Sequence, residues 1–182
     1  MKTKSWTALA VLLTLLAGAL WAGCGSDSKS GSASSSTGNP TDRAFVAGMV
    51  PHHKSAVQMT VIAKGEATGP FVKALAKNIA RSQNAEIAQM QAVDGKLAGA
   101  GIKRGKLGTS MAGMHMDAQM LEGAKPFDAK FIAMMLPHHQ AAIPMARAEL
   151  AKGKNAELKK LAKNIIATQS REIKQMRDHA LG

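Results

Sequence analysis

Histidine occurs in two adjacent pairs in this chain of 182 residues, and methionine is frequent, with 12 residues. The pairs are His52-His53 and His138-His139, and each directly follows a proline. Imidazole nitrogen and thioether sulfur together suit copper, because thioether favours Cu(I) and imidazole binds both oxidation states. The residue types therefore indicate soft-metal chemistry, provided that the fold brings the side chains together.

The histidine pairs belong to an internal repeat. Residues 45–90 align without gaps with residues 131–176 at an offset of 86, with 19 identities in 46 positions. The matches around the histidines are Phe45 with Phe131, Met49 with Met135, Pro51 with Pro137, Ala56 with Ala142 and Met59 with Met145. A repeat of this length indicates that each copy is one supersecondary unit.

Each copy predicts a helical hairpin, because turn-forming residues at 65–70 and at 153–155 interrupt the helical pattern in its middle. On the first helix of the first copy, Met49, His52 and Met59 share one face, since successive residues are about 100° apart. Asp42 and Asp128 precede the two copies and are predicted as helix N-caps, with metal ligation as a secondary role.

The second helix of each copy carries an apolar stripe that polar residues interrupt at equivalent positions. These stripe residues are Gln83, Glu86 and Met90 in the first copy, and Gln169, Glu172 and Met176 in the second. A hairpin that folds near residue 67 brings positions 52 and 49 level with positions 82 and 85. The amide and the carboxylate are therefore expected to face the histidines.

A two-helix hairpin cannot bury its own apolar face, so the two hairpins predict an all-α, ferritin-like four-helix bundle. The predicted bundle spans residues 41–180, with the first copy at 41–91, a linker rich in Met and Gly at 92–126, and the second copy at 127–178. The linker holds a second candidate site for metal capture, formed by Met111, Met114, His115, Met116 and Met120. Long connections of this kind are usually functional or disordered.

Alternative roles exist for several of these residues. Buried methionines most often fill a core, and this reading competes equally with metal ligation for Met59, Met90, Met145 and Met176. Glu86 and Glu172 could each pair with a histidine and orient its ring. Structural zinc would leave the methionines unexplained, and a di-iron carboxylate site would need Glu-x-x-His motifs that the two glutamates lack.

The N-terminus predicts export. Lys2 and Lys4 precede an apolar run, and residues 1–23 are typical of a signal peptide. The run ends in Leu-Trp-Ala-Gly-Cys, which resembles a bacterial lipobox and makes Cys24 the predicted lipidation site. Residues 24–40 are predicted as a flexible Ser/Gly tether that joins the domain to the outer face of the cell membrane. Ordinary cleavage would instead give a periplasmic or secreted protein.

Charge and cysteine content exclude other classes of protein. The formal charge of +12 falls to +10 when Lys2 and Lys4 leave with the signal peptide. A nucleic-acid partner is not expected for an exported chain, and anionic lipid or cell wall is the more plausible partner for this charge. The single cysteine excludes a disulfide framework and a Cys-based metal site within one chain.

The pattern Phe-x-x-x-Met-x-Pro-His-His-x-x-Ala-x-x-Met, followed by Gln-x-x-Glu-Ile-x-x-Met, occurs twice. It resembles the signature of the bacterial domain-of-unknown-function family numbered 305 over about residues 40–180. The resemblance implies a ferritin-like bundle that is often exported, and copper binding in some members. Carried over by motif, it nominates Met49, His52, His53, Met59 and Met90 with their copies Met135, His138, His139, Met145 and Met176.

The main hypothesis is an exported copper-binding lipoprotein that sequesters or transfers the ion without turnover, with a copper-handling protein as a possible partner. One alternative is a metal-dependent oxidoreductase of the ferritin-like type, for which the sequence supplies no nucleophile and no cofactor motif. The other is a metal-free structural or interaction bundle. The sequence does not determine the oligomeric state.

Overall fold

The computed structural model describes residues 38–108 and 116–181, and only the backbone of Leu181. The predicted signal peptide, Cys24 and most of the tether lie outside the described residues. The linker residues Met111, Met114 and His115 also lie outside them.

The described chain contains four α-helices in two hairpins, and no strand occurs in this part of the protein. The helices are α1 (Pro40–Glu66), α2 (Pro70–Gly99), α3 (Phe127–Lys152) and α4 (Ala156–Leu181). A short 3-10 helix, Ala118–Leu121, lies in the connection between the hairpins. The predicted all-α fold of four helices in two hairpins is confirmed.

Helix α2 continues well beyond the repeat, which ends at residue 90. Val93 and Leu97 are buried and extend the apolar stripe of Ile79 and Met90 by further helical turns. Burial of this stripe stabilises the additional helix, and the connection between the hairpins therefore starts at Ala100 rather than near residue 92.

The prediction that Asp42 and Asp128 are N-caps is wrong. The N-cap of α1 is Asn39, whose side chain accepts hydrogen bonds from the backbone N–H groups of Thr41 and Asp42 at 2.9 and 3.1 Å. Pro126 occupies the N-cap of α3 without a side-chain hydrogen bond. The two aspartates instead lie within the first turns of their helices. Asp42 Oδ2 completes a capping box by accepting from the backbone N–H of Asn39, and its Oδ1 remains for a partner elsewhere.

Each aspartate caps the interhelical loop of the opposite hairpin, an arrangement called here the crossed caps. Asp42 Oδ1 accepts from the backbone N–H groups of Lys154 and Asn155 at 3.0 and 2.9 Å, ahead of α4. Asp128 accepts from the N–H groups of Thr68 and Gly69 at 3.1 and 2.6 Å, ahead of α2. These bonds satisfy donors at helix starts and tie the two hairpins together.

Contact between the hairpins runs chiefly through α1 and α3. Met49 shares one apolar cluster with Met90 and Met145, and Met135 shares a second with Met59 and Met176. Each cluster thus combines Met49 or its copy Met135 with Met145 or Met59 of the other repeat. This arrangement is expected when α1 packs antiparallel to α3. The assigned helices run without a break through Pro51, Pro137 and Pro144. None of the described helices combines the length and apolar character needed to cross a bilayer.

Candidate metal site

Four histidine rings form a row through the centre of the bundle. The rings of His52 and His138 lie face to face across the contact between α1 and α3, with centroids 3.8 Å apart and planes inclined by 35°. His53 and His139 lie at the two ends of the row, 6.1 and 6.2 Å from their chain neighbours. All four residues are fully buried. The Pro-His-His motif of each helix therefore contributes one inner and one outer ring.

Hydrogen bonds at Nε2 orient three of these rings. His53 Nε2 donates to Glu86 Oε2 at 2.7 Å, and His139 Nε2 donates to Glu172 Oε2 at 2.9 Å. His138 Nε2 lies 3.0 Å from the backbone carbonyl oxygen of His52, which can only accept. With the proton on Nε2, a neutral ring carries its lone pair on Nδ1.

The Nδ1 atoms of His53, His138 and His139 are buried and have no hydrogen-bonding partner in the described part of the chain. Burial, together with the charges of His52 and His139, lowers the pKa of His138 from 6.5 to about 2. His138 is therefore neutral at physiological pH, and its Nδ1 lone pair is available. An imidazole that is held through one nitrogen and bare at the other is the usual arrangement of a metal-binding histidine.

Six methionines flank the histidine row, three on each side, and all are completely buried. One side holds Met49, Met90 and Met145, and the other holds Met59, Met135 and Met176. Gly48 makes room for one of them, because a Cβ at this position would lie 2.8 Å from the Met145 methyl group. The buried methionines of both clusters are polarizable side chains that pack well and carry a thioether sulfur.

The two predicted glutamines are also in the core. Gln83 and Gln169 are each 2% exposed, and neither end of either amide has a hydrogen-bonding partner among the described residues. A buried amide without a hydrogen-bonding partner costs folding free energy, which a bound ligand, ion or water would offset. Both amides lie one turn before the glutamates that hold the outer histidines.

The glutamates link the histidine row to the surface. The side chain of Glu86 is 15% exposed, and that of Glu172 is 8% exposed. Within residues 38–108 and 116–181, no group of three or more His, Cys, Asp or Glu side chains is arranged to hold a metal ion.

The predicted linker site is described only in part. The backbone carbonyl of Met116 accepts a hydrogen bond from Ser55 Oγ at 3.0 Å, which holds this segment against α1. Met120 lies on the 3-10 helix with 59% of its surface exposed. Met116 is half-buried and packs against the apolar cluster that contains Met59 and Met135, whereas Met120 faces solvent.

Sequence reasoning missed a buried pair of acids, Asp42 and Glu149. Both are completely buried. Burial and the negative charge of the neighbouring Asp42 raise the pKa of Glu149 to about 8. The first copy has Ala63 at the equivalent position, so comparison of the copies could not identify Glu149. Its signal was a lone acidic residue on an otherwise apolar helical face.

The chain matches the family model for the domain of unknown function DUF305 over residues 19–94 and 42–180. No curated protein matches the chain. Several solved structures do, among them CopM in a Cu(I)-bound form, with 36% identity and a TM-score of 0.64. That match covers 75% of this chain and 93% of CopM.

CopM in a Cu(II)-bound form matches with 38% identity, a TM-score of 0.66 and the same coverage of both chains. A DUF305 protein from Streptomyces coelicolor, described as secreted, matches with 26% identity and a TM-score of 0.67. That alignment covers 76% of this chain and 90% of the Streptomyces protein. The similarity extends over almost the whole length of each of these proteins.

Proposed function

Because the chain belongs to the DUF305 family, we propose that it binds copper in the centre of its bundle and sequesters the ion or transfers it to another protein. One observation carries the proposal: three oriented, buried imidazoles, of His53, His138 and His139, present bare Nδ1 atoms between two groups of buried methionines. The Cu(I)-bound and Cu(II)-bound forms of CopM support copper as the metal.

The donor set fits copper better than a hard cation. Imidazole nitrogen and thioether sulfur are ligands for Cu(I), and imidazole also serves Cu(II). The histidines would be the primary ligands of the ion, together with Met49 and Met135. Each of these methionines lies one helical turn before the histidine pair of its own helix, α1 or α3. The outer methionines Met59, Met90, Met145 and Met176 complete the proposed sulfur environment, since they are buried on the same two sides.

Of the polar residues around the histidines, the glutamates have a positioning role in this proposal and the glutamines are proposed as ligands. Glu86 and Glu172 fix the outer rings through Nε2, which leaves Nδ1 for the ion. Gln83 and Gln169 are the additional ligands that we propose, because their buried amides have no partner among the described residues. Binding of a cation would satisfy amide oxygens that otherwise cost free energy.

The proposed cellular context is the outer face of the membrane. Residues 1–23 would direct export, Cys24 would carry the lipid, and the tether would join the lipid to the bundle. Met111, Met114, His115, Met116 and Met120 would capture copper outside the bundle. Mass spectrometry of the mature protein tests the anchor: a diacylglyceryl group on an N-terminal Cys24 is expected, and an unmodified thiol contradicts it.

Titration of the full chain with Cu(I) against a competing chelator tests the central site. We expect His52→Ala combined with His138→Ala to weaken binding by more than about tenfold, the least loss typical of even an indirect metal partner. His179→Ala is the control, because this histidine stacks on Phe71 near the end of α4, away from the row. Unchanged affinity in the double variant would show that the site is elsewhere.

A further inference from the structure

A pocket of about 410 Å³ lies on the seam between α2 and α4, on the outside of the bundle. This seam pocket is lined by Arg81 and Phe71 from α2 and by Arg171 and Glu172 from α4, among others. Its volume is in the range of small-molecule sites. It is separate from the methionines and from the inner histidines, so the proposed copper site does not account for it.

The pocket carries two guanidinium groups without carboxylate partners. The ion pairs of the described residues involve Arg43, Arg104, two lysines and two histidines, but neither Arg81 nor Arg171. Each guanidinium offers a planar fork of N–H donors that matches a carboxylate or a phosphate. Two such groups in one small pocket give it the chemistry of an anion site.

The internal repeat relates the seam pocket to a second, equivalent region between α2 and α4, called here the equivalent half of the seam. Comparison of the two regions shows that the arginines are present only at the pocket. At the offset of 86, the position of Arg81 is occupied by Ala167, and that of Arg171 by Ala85. Both arginines line the same pocket, although they come from different copies. The equivalent half of the seam has alanine at both places, so the two arginines are not a consequence of the duplicated core.

The far end of the pocket is apolar. Phe71 stacks on His179 with ring centroids 4.1 Å apart, and Leu75 lies one turn further along α2. The copy of Phe71 is Glu157, which instead pairs with Lys96 at 3.7 Å. The pocket therefore combines a cationic side with an apolar end, whereas the equivalent half of the seam does not.

Glu172 is the acidic group in the pocket wall. Its carboxylate accepts the hydrogen bond from His139 Nε2, and only 8% of its side chain is exposed. The charge of Glu172 is thus directed mainly into the bundle. Repulsion from it would place the head of a bound anion on the side of Arg81 and Arg171, with the remainder of the ligand toward Phe71.

We propose that the seam pocket binds a small organic carboxylate, whose head pairs with Arg81 and Arg171 and whose short apolar body packs on Phe71 and Leu75. This function does not depend on copper. It is therefore tested on the full chain without metal, so that failure here and failure of copper binding are separate results.

The test is a titration with 3-phenylpropionate, followed by calorimetry and by NMR shifts of the amides around the pocket. We expect saturable binding that Arg81→Ala with Arg171→Ala weakens by at least about tenfold, since charge-assisted hydrogen bonds are the stronger ones in a complex. Phe71→Ala should also weaken it. The control is Lys77→Ala with Lys163→Ala, which removes the same charge from the same two helices outside the pocket.

Three results would overturn the proposal. The first is no saturable binding at millimolar 3-phenylpropionate. The second is an equal loss in the lysine control, which would indicate general attraction to a basic surface. The third is that inorganic phosphate binds as tightly as 3-phenylpropionate and Phe71→Ala has no effect, which would assign the pocket to simple anions.

Discussion

The crossed caps at the two ends of the bundle use equivalent aspartates in different surroundings. Asp42 is completely buried beneath the α3–α4 loop and lies beside Glu149. Asp128 is half-buried beneath the α1–α2 loop, and the first copy has Ala63 where the second has Glu149. The hydrogen-bonding scheme is therefore common to both copies, while only one end has a second acid.

The electrostatic consequences at the two ends are opposite. Burial of Asp128 opposes ionisation, but hydrogen bonds from Gly69 and Thr68 outweigh it and lower the pKa of Asp128. At the other end, burial and the neighbouring Asp42 raise the pKa of Glu149 to about 8. Asp128 therefore works as an ordinary ionised carboxylate. Asp42, in contrast, is buried beside Glu149, an acid that keeps its proton at neutral pH. The difference shows that a duplicated scaffold tolerates divergence at its ends.

The largest predicted effect is that of Asp42→Ala. It leaves the N–H groups of Lys154 and Asn155 without their acceptor in a buried place, so we expect a loss of about 3 kcal/mol or more. Asp128→Ala should cost only about 1 kcal/mol, the usual loss when a capping side chain is removed, because Asp128 is only half-buried. Urea denaturation followed by circular dichroism measures both, and equal losses would contradict the comparison.

Gly153→Ala should destabilise the fold by about 2 kcal/mol, because overpacking a filled site carries that cost. A Cβ at Gly153 would lie 2.1 Å from Glu149 Oε1. The equivalent residue of the first copy is Ala67, which has Ala63 in place of the glutamate. Adding Glu149→Ala recreates that pair, so the double variant should lose less than the sum of the two single losses.

The centre of the bundle should respond symmetrically, in contrast to its ends. Glu86 and Glu172 hold the outer histidines in the same way, at 2.7 and 2.9 Å. We expect Glu86→Ala and Glu172→Ala each to weaken Cu(I) binding by about tenfold, the loss typical of a residue that orients a ligand. Chelator competition measures both, and a loss confined to one variant would show that the two halves are not equivalent.

The smallest effect is the pH dependence of stability. Glu149 has a raised pKa of about 8 in the fold, so the native state binds more protons and the free energy of unfolding falls as pH rises toward 8. The lowered pKa of His138 acts in the opposite direction and only below 6.5. Between pH 6.5 and 8 we expect a loss of about 1 kcal/mol.

Glu149→Gln tests the source of this slope, because the amide keeps the shape of the protonated acid but cannot ionise. Stability of the variant should be flat over the same pH range, as measured by urea denaturation at each pH. A slope equal to that of the unaltered protein would assign the effect to another group.

Much of the fold and of the candidate site followed from the sequence. The offset of 86 and the breaks at 65–70 and 153–155 predicted the two hairpins, and helical periodicity placed Met49, His52 and Gln83 on buried faces. The N-caps were predicted wrongly because Asp42 and Asp128 bind loops of the opposite hairpin. The pattern of one helix contains no information about such partners, which are 112 and 113 residues from Asp42 and 60 and 59 residues from Asp128.

The sequence by itself determined which residues share a helical face, because the rise and rotation of an α-helix fix these relations locally. It thereby predicted that the glutamates face the histidines within each hairpin, which the bonds of His53 to Glu86 and of His139 to Glu172 confirm. Only the tertiary structure decided that α1 and α3 cross with His52 facing His138, that the caps are exchanged between hairpins, and that Glu149 is buried beside Asp42. These contacts depend on how whole apolar faces pack together, and no local spacing specifies that.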